Sequence, residues 1–251
     1  MSPRSPRPAD MRTRNPESSL PEALSDIEQS MPGFARWLYG SVRQHLGDRV
    51  VDAGAGIGTY STLLLEDGKT VASVEYVPAF AKELRRKFAG HARVSVYQAD
   101  LADRGALSRL VEFDSILCLN VFEHIEDDIQ AMKNLLEKVR PGGTLVALVP
   151  AYPWLFNGID RAVGHHRRYR RAEFLQKLTA AGWSVERCFR FNAFGLPGWF
   201  FAGNVLRRNK PGRDLTRLFD ACVPAFSLSE KYLIRGAVGL SIVAVCRRAP
   251  G

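Results

Sequence analysis

Polar side chains follow four short apolar segments in the first half of the chain. Asp52, Glu75, Asp100 and Asn120 each come directly after, or within two residues of, a run of aliphatic or β-branched residues of the kind that forms a buried strand. The carboxyl ends of parallel strands meet at one edge of a sheet, and open α/β sheets bind ligands there. We therefore expect these four side chains to line one ligand-binding crevice.

The turn after Asp52 is rich in glycine, with Gly54, Gly56 and Gly58 in the segment Gly54-Ala55-Gly56-Ile57-Gly58. Glycine has no Cβ atom, so a ligand can approach such a turn closely, and the helix that follows points its N–H groups at the ligand. A dinucleotide site requires the spacing GxGxxG, whereas here the third glycine comes one position early. An NAD-dependent oxidoreductase is therefore the less favoured alternative, and the sequence also has no Tyr-x-x-x-Lys pair.

The acidic residues at the predicted strand ends indicate which ligand binds. Glu75, with Tyr76 beside it, suits bidentate hydrogen bonding to a ribose diol, although that feature fits NAD equally well. The Asp100 carboxylate can accept from an adenine amino group while the N–H of Leu101 meets a ring nitrogen. With Asn120 after the fourth strand, the set outlines a nucleoside with an amino-acid tail.

Strand and helix patterns alternate around these residues. The spacing of apolar residues predicts strands at 49–53, 70–75, 94–98, 115–119, 144–149, 184–189 and 240–246, and helices at 31–46, 59–66, 79–88, 127–139 and 172–181. Such alternation indicates an α/β fold with a parallel sheet covered by helices on both faces. The segment Pro141-Gly142-Gly143 is expected to stop a helix and turn into the fifth strand.

Composition predicts one domain with a tail. The 251 residues are 46% apolar, which is enough for one core. We expect residues 1–28, rich in Pro, Arg and Ser, to be disordered, and residues 29–251 to form a single domain with insertions at 151–170 and 191–235. The start of the chain has no apolar signal-peptide region, and no uninterrupted apolar stretch is long enough to span a bilayer, so a cytoplasmic location is expected.

The net charge of +9 is concentrated in two basic clusters of the second half: Arg161, Arg167, Arg168, Arg170 and Arg171, and Arg207, Arg208, Lys210, Arg213 and Arg217. Such clusters could meet an anionic substrate or the surface of a membrane, or could simply be solvated. We expect no nucleic-acid partner, because no recognition signature accompanies the charge. The four cysteines form no CxxC pair, which argues against a zinc or redox site of that kind.

Taken in order, these motifs resemble those of the class I, Rossmann-like S-adenosylmethionine-dependent methyltransferases. The residues that carry the resemblance are 52–58, Glu75, 99–101, 113–116, 120–125 and 136–143. It implies a seven-stranded, mostly parallel sheet with an antiparallel last strand, and S-adenosylmethionine bound by the glycine turn, Glu75, Asp100 and Asn120, with S-adenosylhomocysteine as product.

The second half resembles a subgroup often associated with polysaccharide or natural-product biosynthesis, on the segments 149–151, 164–169, 191–195 and 239–241. This implies methyl transfer to an oxygen or nitrogen of a small molecule, a natural product or a glycan or lipid-linked intermediate. A methyltransferase-like binding protein without turnover is the non-enzymatic alternative. The oligomeric state is left open.

Four residues are candidates for the chemistry. The sulfonium methyl group is already activated, so transfer needs proximity and sometimes a base. His124, next to Glu123, is the first candidate base, although a histidine packed at a helix start is an equal alternative. His165, His166 and Tyr169 lie in the loop after the fifth strand, where they and Arg168 could close over an acceptor. The alternative is that the arginines of this loop are solvated and the histidines cap the loop.

Two further expectations concern metal and burial. Similar methyltransferases that act on quinone precursors place a divalent metal among acidic residues and this histidine, but Asn120 replaces one expected carboxylate. Adjacent histidines seldom chelate one ion and no third ligand is evident, so we predict no metal. The uncharged segment 191–206 is expected to be a buried lid or core, with an interfacial anchor for peripheral membrane contact as the alternative.

Overall fold

The computed structural model describes residues 29–209 and 212–250. The predicted disordered tail, residues 1–28, lies outside the described residues, as do 210, 211 and 251. Among the helices described, none combines the length and the apolar character needed to cross a bilayer.

Seven strands form one sheet in the order β3-β2-β1-β4-β5-β7-β6. Strand β7 is antiparallel to both of its neighbours, β5 and β6, and the other neighbouring pairs are parallel. This confirms the predicted fold class. The strand order reverses between β1 and β4, which makes their carboxyl ends the switch point where such sheets bind ligands. The strands are β1 Arg49–Ala53, β2 Thr70–Glu75, β3 Val94–Gln98, β4 Phe113–Leu119, β5 Val139–Pro150, β6 Trp183–Phe191 and β7 Ser241–Arg248.

Helices cover both faces of the sheet, because successive residues of each strand point to opposite faces and both sets are apolar. Val50 and Leu117 pack into a cluster with Leu38 and Leu64 from the first two helices, whereas neighbouring strand residues pack into a second cluster on the other face. The helices are α1 Pro32–Val42, α2 Thr59–Glu66, α3 Pro78–Lys87, α4 Asp128–Leu136, α5 Gly158–Ala162, α6 Arg171–Ala180, α7 Gly195–Phe200 and α8 Arg213–Ser229.

The start of β5 differs from the prediction. Helix α4 ends at Leu136, and the Pro141-Gly142-Gly143 segment lies inside β5 as an irregularity rather than before it: Phe113 pairs with Val139, and Ser115 pairs with Thr144. A Cβ atom at Gly143 would lie 2.4 Å from Val139 Cγ1, so only glycine fits this close approach. The expectation of a helix stop at Pro141 was wrong because the chain leaves the helix earlier and pairs at once.

The segment 191–206 is less buried than predicted. It forms the end of β6, helix α7 and a π-helical turn at Phe201–Val205, in which Ala202 and Gly203 are buried. The side chains of Phe200, Phe201, Val205 and Leu206 are 43% to 56% exposed. The expectation of a buried lid or core was wrong for these four, since only the small residues of the turn face the protein.

Candidate active site

The glycine turn joins β1 to α2. Gly54, Gly56 and Gly58 all have positive φ, at 77°, 54° and 82°. A Cβ atom at Gly54 would lie 2.3 Å from Val121 Cγ2, and one at Gly58 would lie 2.7 Å from Leu84 Cδ2. Glycine is therefore required at these two positions by backbone conformation and by contact with the protein itself, rather than by ligand approach alone.

Asp52 lies beneath this turn. Its carboxylate is 3% exposed and accepts a hydrogen bond from the Ser61 hydroxyl at 2.6 Å. The Ser61 hydroxyl also lies 2.7 Å from that of Ser73 on β2. The structure thus places Asp52, which we expected to face the crevice, in contacts that tie β1 to the first turn of α2.

Glu75 contacts the glycine turn directly. Its Oε2 accepts from the N–H of Gly56 at 2.8 Å, and its Oε1 accepts from the N–H of Val77 at 2.7 Å. Burial raises the pKa of this carboxyl, and the backbone N–H groups oppose that rise. Tyr76, beside it, is 67% exposed. The end of β2 therefore carries an anchored carboxylate next to an exposed aromatic ring.

The strand ends after β3 and β4 complete this side of the edge. Asp100 is half-buried, and its Oδ1 accepts from the N–H of Ala102 at 2.8 Å, while Leu101 is buried. Asn120 is exposed and has a φ of 55°. The expected cofactor residues therefore lie at adjacent strand ends, in the order β3-β2-β1-β4.

Left-handed backbone marks the same edge of the sheet. Asn120, Tyr152 and Asn192 are non-glycine residues with positive φ, and they follow β4, β5 and β6. Asparagine tolerates this conformation, but for tyrosine it is a genuine outlier, and such strain concentrates at functional sites. Sequence reasoning did not identify Tyr152, because nothing in the residue type signals its backbone conformation.

A buried group of titratable side chains lies just after β4. Glu123 is fully buried, and its carboxylate oxygens receive no hydrogen bond from another described residue. Burial raises the pKa of Glu123 to about 7, although His165 and Arg168 oppose the rise. Burial and the neighbouring His165 lower the pKa of His124 to about 3. The rings of His124 and His165 lie 4.6 Å apart, centroid to centroid.

Asp160, in the short helix α5, organises the loop that carries His165. It is fully buried, and its Oδ1 lies 2.8 Å from His165 Nδ1 and 2.8 Å from Arg168 Nε. Arg168 also stacks on Trp199, with 4.7 Å from the guanidinium carbon to the ring centroid. The sequence left open whether Arg168 contacts the acceptor or is solvated; its side chain is instead buried in this ion pair. Sequence reasoning missed Asp160, since one acid in a basic loop carries no signal.

The other two catalytic candidates point elsewhere. Tyr169 is fully buried, and its hydroxyl donates to Asp128 Oδ2 at 2.7 Å; burial and this carboxylate raise the pKa of the phenol. His166 is exposed, and its backbone N–H donates to the carbonyl of Glu123 at 2.8 Å. The structure therefore brings together the rings of His124 and His165, pairs the Tyr169 hydroxyl with Asp128 and leaves the His166 side chain exposed.

A shallow cavity opens beyond the carboxyl ends of β5 and β6. Tyr152, Trp154, Arg170, Arg171 and Arg190 are among its lining residues. Trp154 is 62% exposed, and the Arg190 guanidinium stacks over the Tyr152 ring at 4.7 Å. The exposed indole of Trp154 beside several guanidinium groups suits a planar or sugar-like ligand that carries negative charge.

Comparison with known proteins finds methyltransferases. The family described as a methyltransferase domain matches residues 51–145. The chain is similar to glycine N-methyltransferase from Mus musculus, with 32% identity over 139 residues, covering 49% of this chain and 47% of that protein. It is also similar to the ubiquinone biosynthesis O-methyltransferase of Xanthomonas campestris pv. campestris (strain B100), with 26% identity over 99 residues, covering 39% and 41%.

A solved structure shows the same fold. The N-methyltransferase NodS from Bradyrhizobium japonicum WM9, in complex with S-adenosylhomocysteine, superposes with a TM-score of 0.53 at 14% identity, covering 85% of this chain and 84% of that one. The present chain spans about half the length or less of the curated relatives described above.

The site residues fit the cofactor of this family, S-adenosylmethionine. A ribose would meet the carboxylate of Glu75 at the glycine turn, and an adenine would meet the carboxylate of half-buried Asp100, two strands from β1. Backbone N–H groups at the start of α2 suit the carboxylate of the amino-acid tail. Residues 51–145 thus match a methyltransferase domain, and the sheet has the fold of the class I, Rossmann-like S-adenosylmethionine-dependent methyltransferases.

Proposed function

We propose that the protein transfers a methyl group from S-adenosylmethionine to an oxygen or nitrogen of an anionic small molecule, natural product or glycan-type intermediate. One observation supports this most directly. The cofactor residues occupy the ends of β1 to β4, and the cavity with Tyr152, Trp154 and three arginines occupies the ends of β5 and β6 at the same edge. A donor and an acceptor bound there would meet, which is what an in-line methyl transfer requires.

The chain's own residues would position the reactants rather than react with them. The glycine turn and Glu75 would hold the nucleoside, while Arg170 and Arg190 would neutralise charge on the acceptor. The predicted base, His124, stays unprotonated at neutral pH because its pKa is lowered to about 3. An imidazole with so low a pKa is a weak base, so we do not assign the acceptor's proton to it.

A lipid-linked acceptor is compatible with the neighbouring surface. Phe200 and Phe201 are exposed next to this region, with Phe200 6.3 Å from Trp154 between ring centroids. Arg207 and Arg208 are exposed a few residues further along. Apolar side chains beside cations suit the interface of an anionic membrane. We therefore include peripheral membrane contact in the proposal.

Cofactor binding is the first test. Isothermal titration with S-adenosylhomocysteine should show binding by the folded protein, and Glu75→Ala should weaken it, because the ribose would lose its carboxylate partner. Glu112→Ala is the matched control, since Glu112 is exposed and precedes β4 at the opposite edge of the sheet. Absence of binding by the unaltered protein would remove the cofactor claim.

Turnover is the second test. A panel of anionic, glycan and lipid-linked acceptors should include one that converts S-adenosylmethionine to S-adenosylhomocysteine above the rate without acceptor. Arg190→Gln should raise the KM for that acceptor while leaving the Kd for S-adenosylhomocysteine unchanged. Conversion only with uncharged acceptors would contradict the proposed substrate class.

A further inference from the structure

Three potential ligand atoms converge between the cofactor edge and the acceptor cavity. One atom each from Glu123, His124 and His165 lie within 4.8 Å of one another, and His165 Nε2 is 3.8 Å from Glu123 Oε1. The first two residues belong to the 3₁₀ turn after β4, and His165 belongs to the loop after α5. Topology alone brings them together, since 41 positions separate His124 from His165.

The His165 imidazole is already oriented through its outer nitrogen. His165 Nδ1 donates to Asp160 Oδ1 at 2.8 Å, which leaves Nε2 facing Glu123. Histidines that ligate metals show this arrangement, in which one N–H is held by a carboxylate or backbone acceptor and the other nitrogen presents its lone pair.

Glu123 supplies an independent observation. Its carboxylate is fully buried, and neither oxygen receives a hydrogen bond from another residue that the structure describes. A buried carboxylate without a partner is costly, so such a group carries a proton or faces a cation. The guanidinium of Arg168, which acts electrostatically on Glu123, is itself held by Asp160 and Trp199.

We propose that Glu123, His124 and His165 bind one divalent transition-metal cation of the Zn²⁺ class. Two imidazole nitrogens and one carboxylate oxygen form the three-ligand set that leaves a coordination position open for an exogenous oxygen. A tetrahedral ion with bonds of about 2.1 Å holds its ligand atoms about 3.4 Å apart, so the loop with His165 has to move by about an ångström.

This reverses the expectation of no metal. That expectation assumed that no third ligand was available, whereas the structure places ligand atoms of Glu123, His124 and His165 within 4.8 Å of one another. Asn120, whose amide replaces the expected carboxylate, is not among the three. If the open position receives the acceptor's oxygen, the metal would lower its pKa, and this role alone rests on the proposed function.

Metal binding is tested directly with tag-free protein treated with a chelator and dialysed. Titration of Zn²⁺ against a chromophoric competitor should show one equivalent bound, and Co²⁺ should give ligand-field absorption bands. Zn²⁺ should also raise the Tm, because it binds only the folded state. No stoichiometric Zn²⁺ binding by the unaltered protein would overturn the proposal.

Variants locate the ion. Glu123→Gln and His165→Ala should each lose more affinity than the roughly 10- to 100-fold that an outer-shell change such as Asp160→Asn typically costs. His166→Ala is the matched control, because this adjacent histidine is exposed, and its affinity should stay unchanged. Equal losses in His165→Ala and His166→Ala would indicate an adventitious surface site and would refute the assignment.

Two further measurements separate the possible failures. Circular dichroism and urea unfolding without metal show whether each variant is folded, and Glu123→Gln is expected to fold because it removes a buried charge and keeps the shape. S-adenosylhomocysteine binding by the same variants should be unchanged. If the unaltered protein binds S-adenosylhomocysteine but not Zn²⁺, the metal site is refuted and the proposed function stands. If it binds Zn²⁺ but not S-adenosylhomocysteine, the proposed function is refuted and the metal site stands.

Discussion

Replacing Gly54 by alanine should destabilise the protein itself. The position has a φ of 77°, and the added Cβ atom would lie 2.3 Å from Val121 Cγ2. The left-handed conformation costs an alanine about 1 to 2 kcal/mol, and overpacking of a core contact costs about 1 to 3 kcal/mol more. We expect Gly54→Ala to lower the free energy of unfolding by about 2 to 5 kcal/mol.

Gly90→Ala is a matched control for the backbone part of this effect. Gly90 also has positive φ, at 75°, but a Cβ atom there would meet nothing within 4 Å. Its substitution should therefore cost about 1 to 2 kcal/mol from conformation alone. Both changes reduce the entropy of the unfolded chain alike, so this contribution cancels in the comparison.

Urea unfolding of four proteins measures the contact part: the unaltered chain, Gly54→Ala, Val121→Ala and the double variant. The coupling energy from this cycle should be about 1 to 3 kcal/mol, because removing the Val121 methyl groups relieves the overlap. If Gly54→Ala unfolds like Gly90→Ala and only loses S-adenosylhomocysteine binding, then the glycine serves ligand approach and this reasoning is wrong.

Other predictions follow from buried charge and from the acceptor cavity. Affinity for S-adenosylhomocysteine should be complete above the pKa of Glu75 and fall as the pH drops through it. Because burial raises this pKa, titration calorimetry should detect the loss at a higher pH than for an ordinary glutamate. Glu75→Gln should bind weakly and without this pH dependence. Arg168→Met should lower the free energy of unfolding in urea by about 3 to 5 kcal/mol, because it leaves the buried Asp160 without its guanidinium, whereas Arg104→Met, in an exposed ion pair, should cost at most about 1 kcal/mol. Trp154→Ala should raise the KM for the acceptor about tenfold, a loss of about 1.4 kcal/mol of contact, and an unchanged KM would place the acceptor elsewhere.

The sheet was predictable because its signals are local. The bounds of β1, β2, β3 and α2 agree with the predictions, since short β-branched runs alternate with glycine turns and amphipathic segments there. The start of β5 was not predictable in this way. Its pairing through Pro141-Gly142-Gly143 depends on Phe113 and Ser115, more than twenty residues away in the chain.

Site residues at strand ends could be placed from the sequence, whereas those in loops could not. Glu75 and Asp100 were found because a residue at the end of a predicted strand has a known position. Asp160 and the burial of Arg168 were not found, because each depends on how the loop after β5 folds onto the turn after β4. The exposure of Phe200 and Phe201 was missed for a related reason, since hydrophobicity predicts burial only where a partner surface exists.

The family match covers only part of the site, and this limits what relatives can tell about the substrate. The family match ends at residue 145, so it includes the glycine turn, Glu75, Asp100 and the pair Glu123–His124. His165, Trp154 and Arg190 all lie beyond it. Cofactor binding therefore follows from what the chain shares with its relatives, whereas the acceptor and the third metal ligand depend on residues outside the match. The proposed acceptor is therefore tested by experiments on Trp154, Arg190 and the loop that carries His165, rather than by further similarity in residues 51–145.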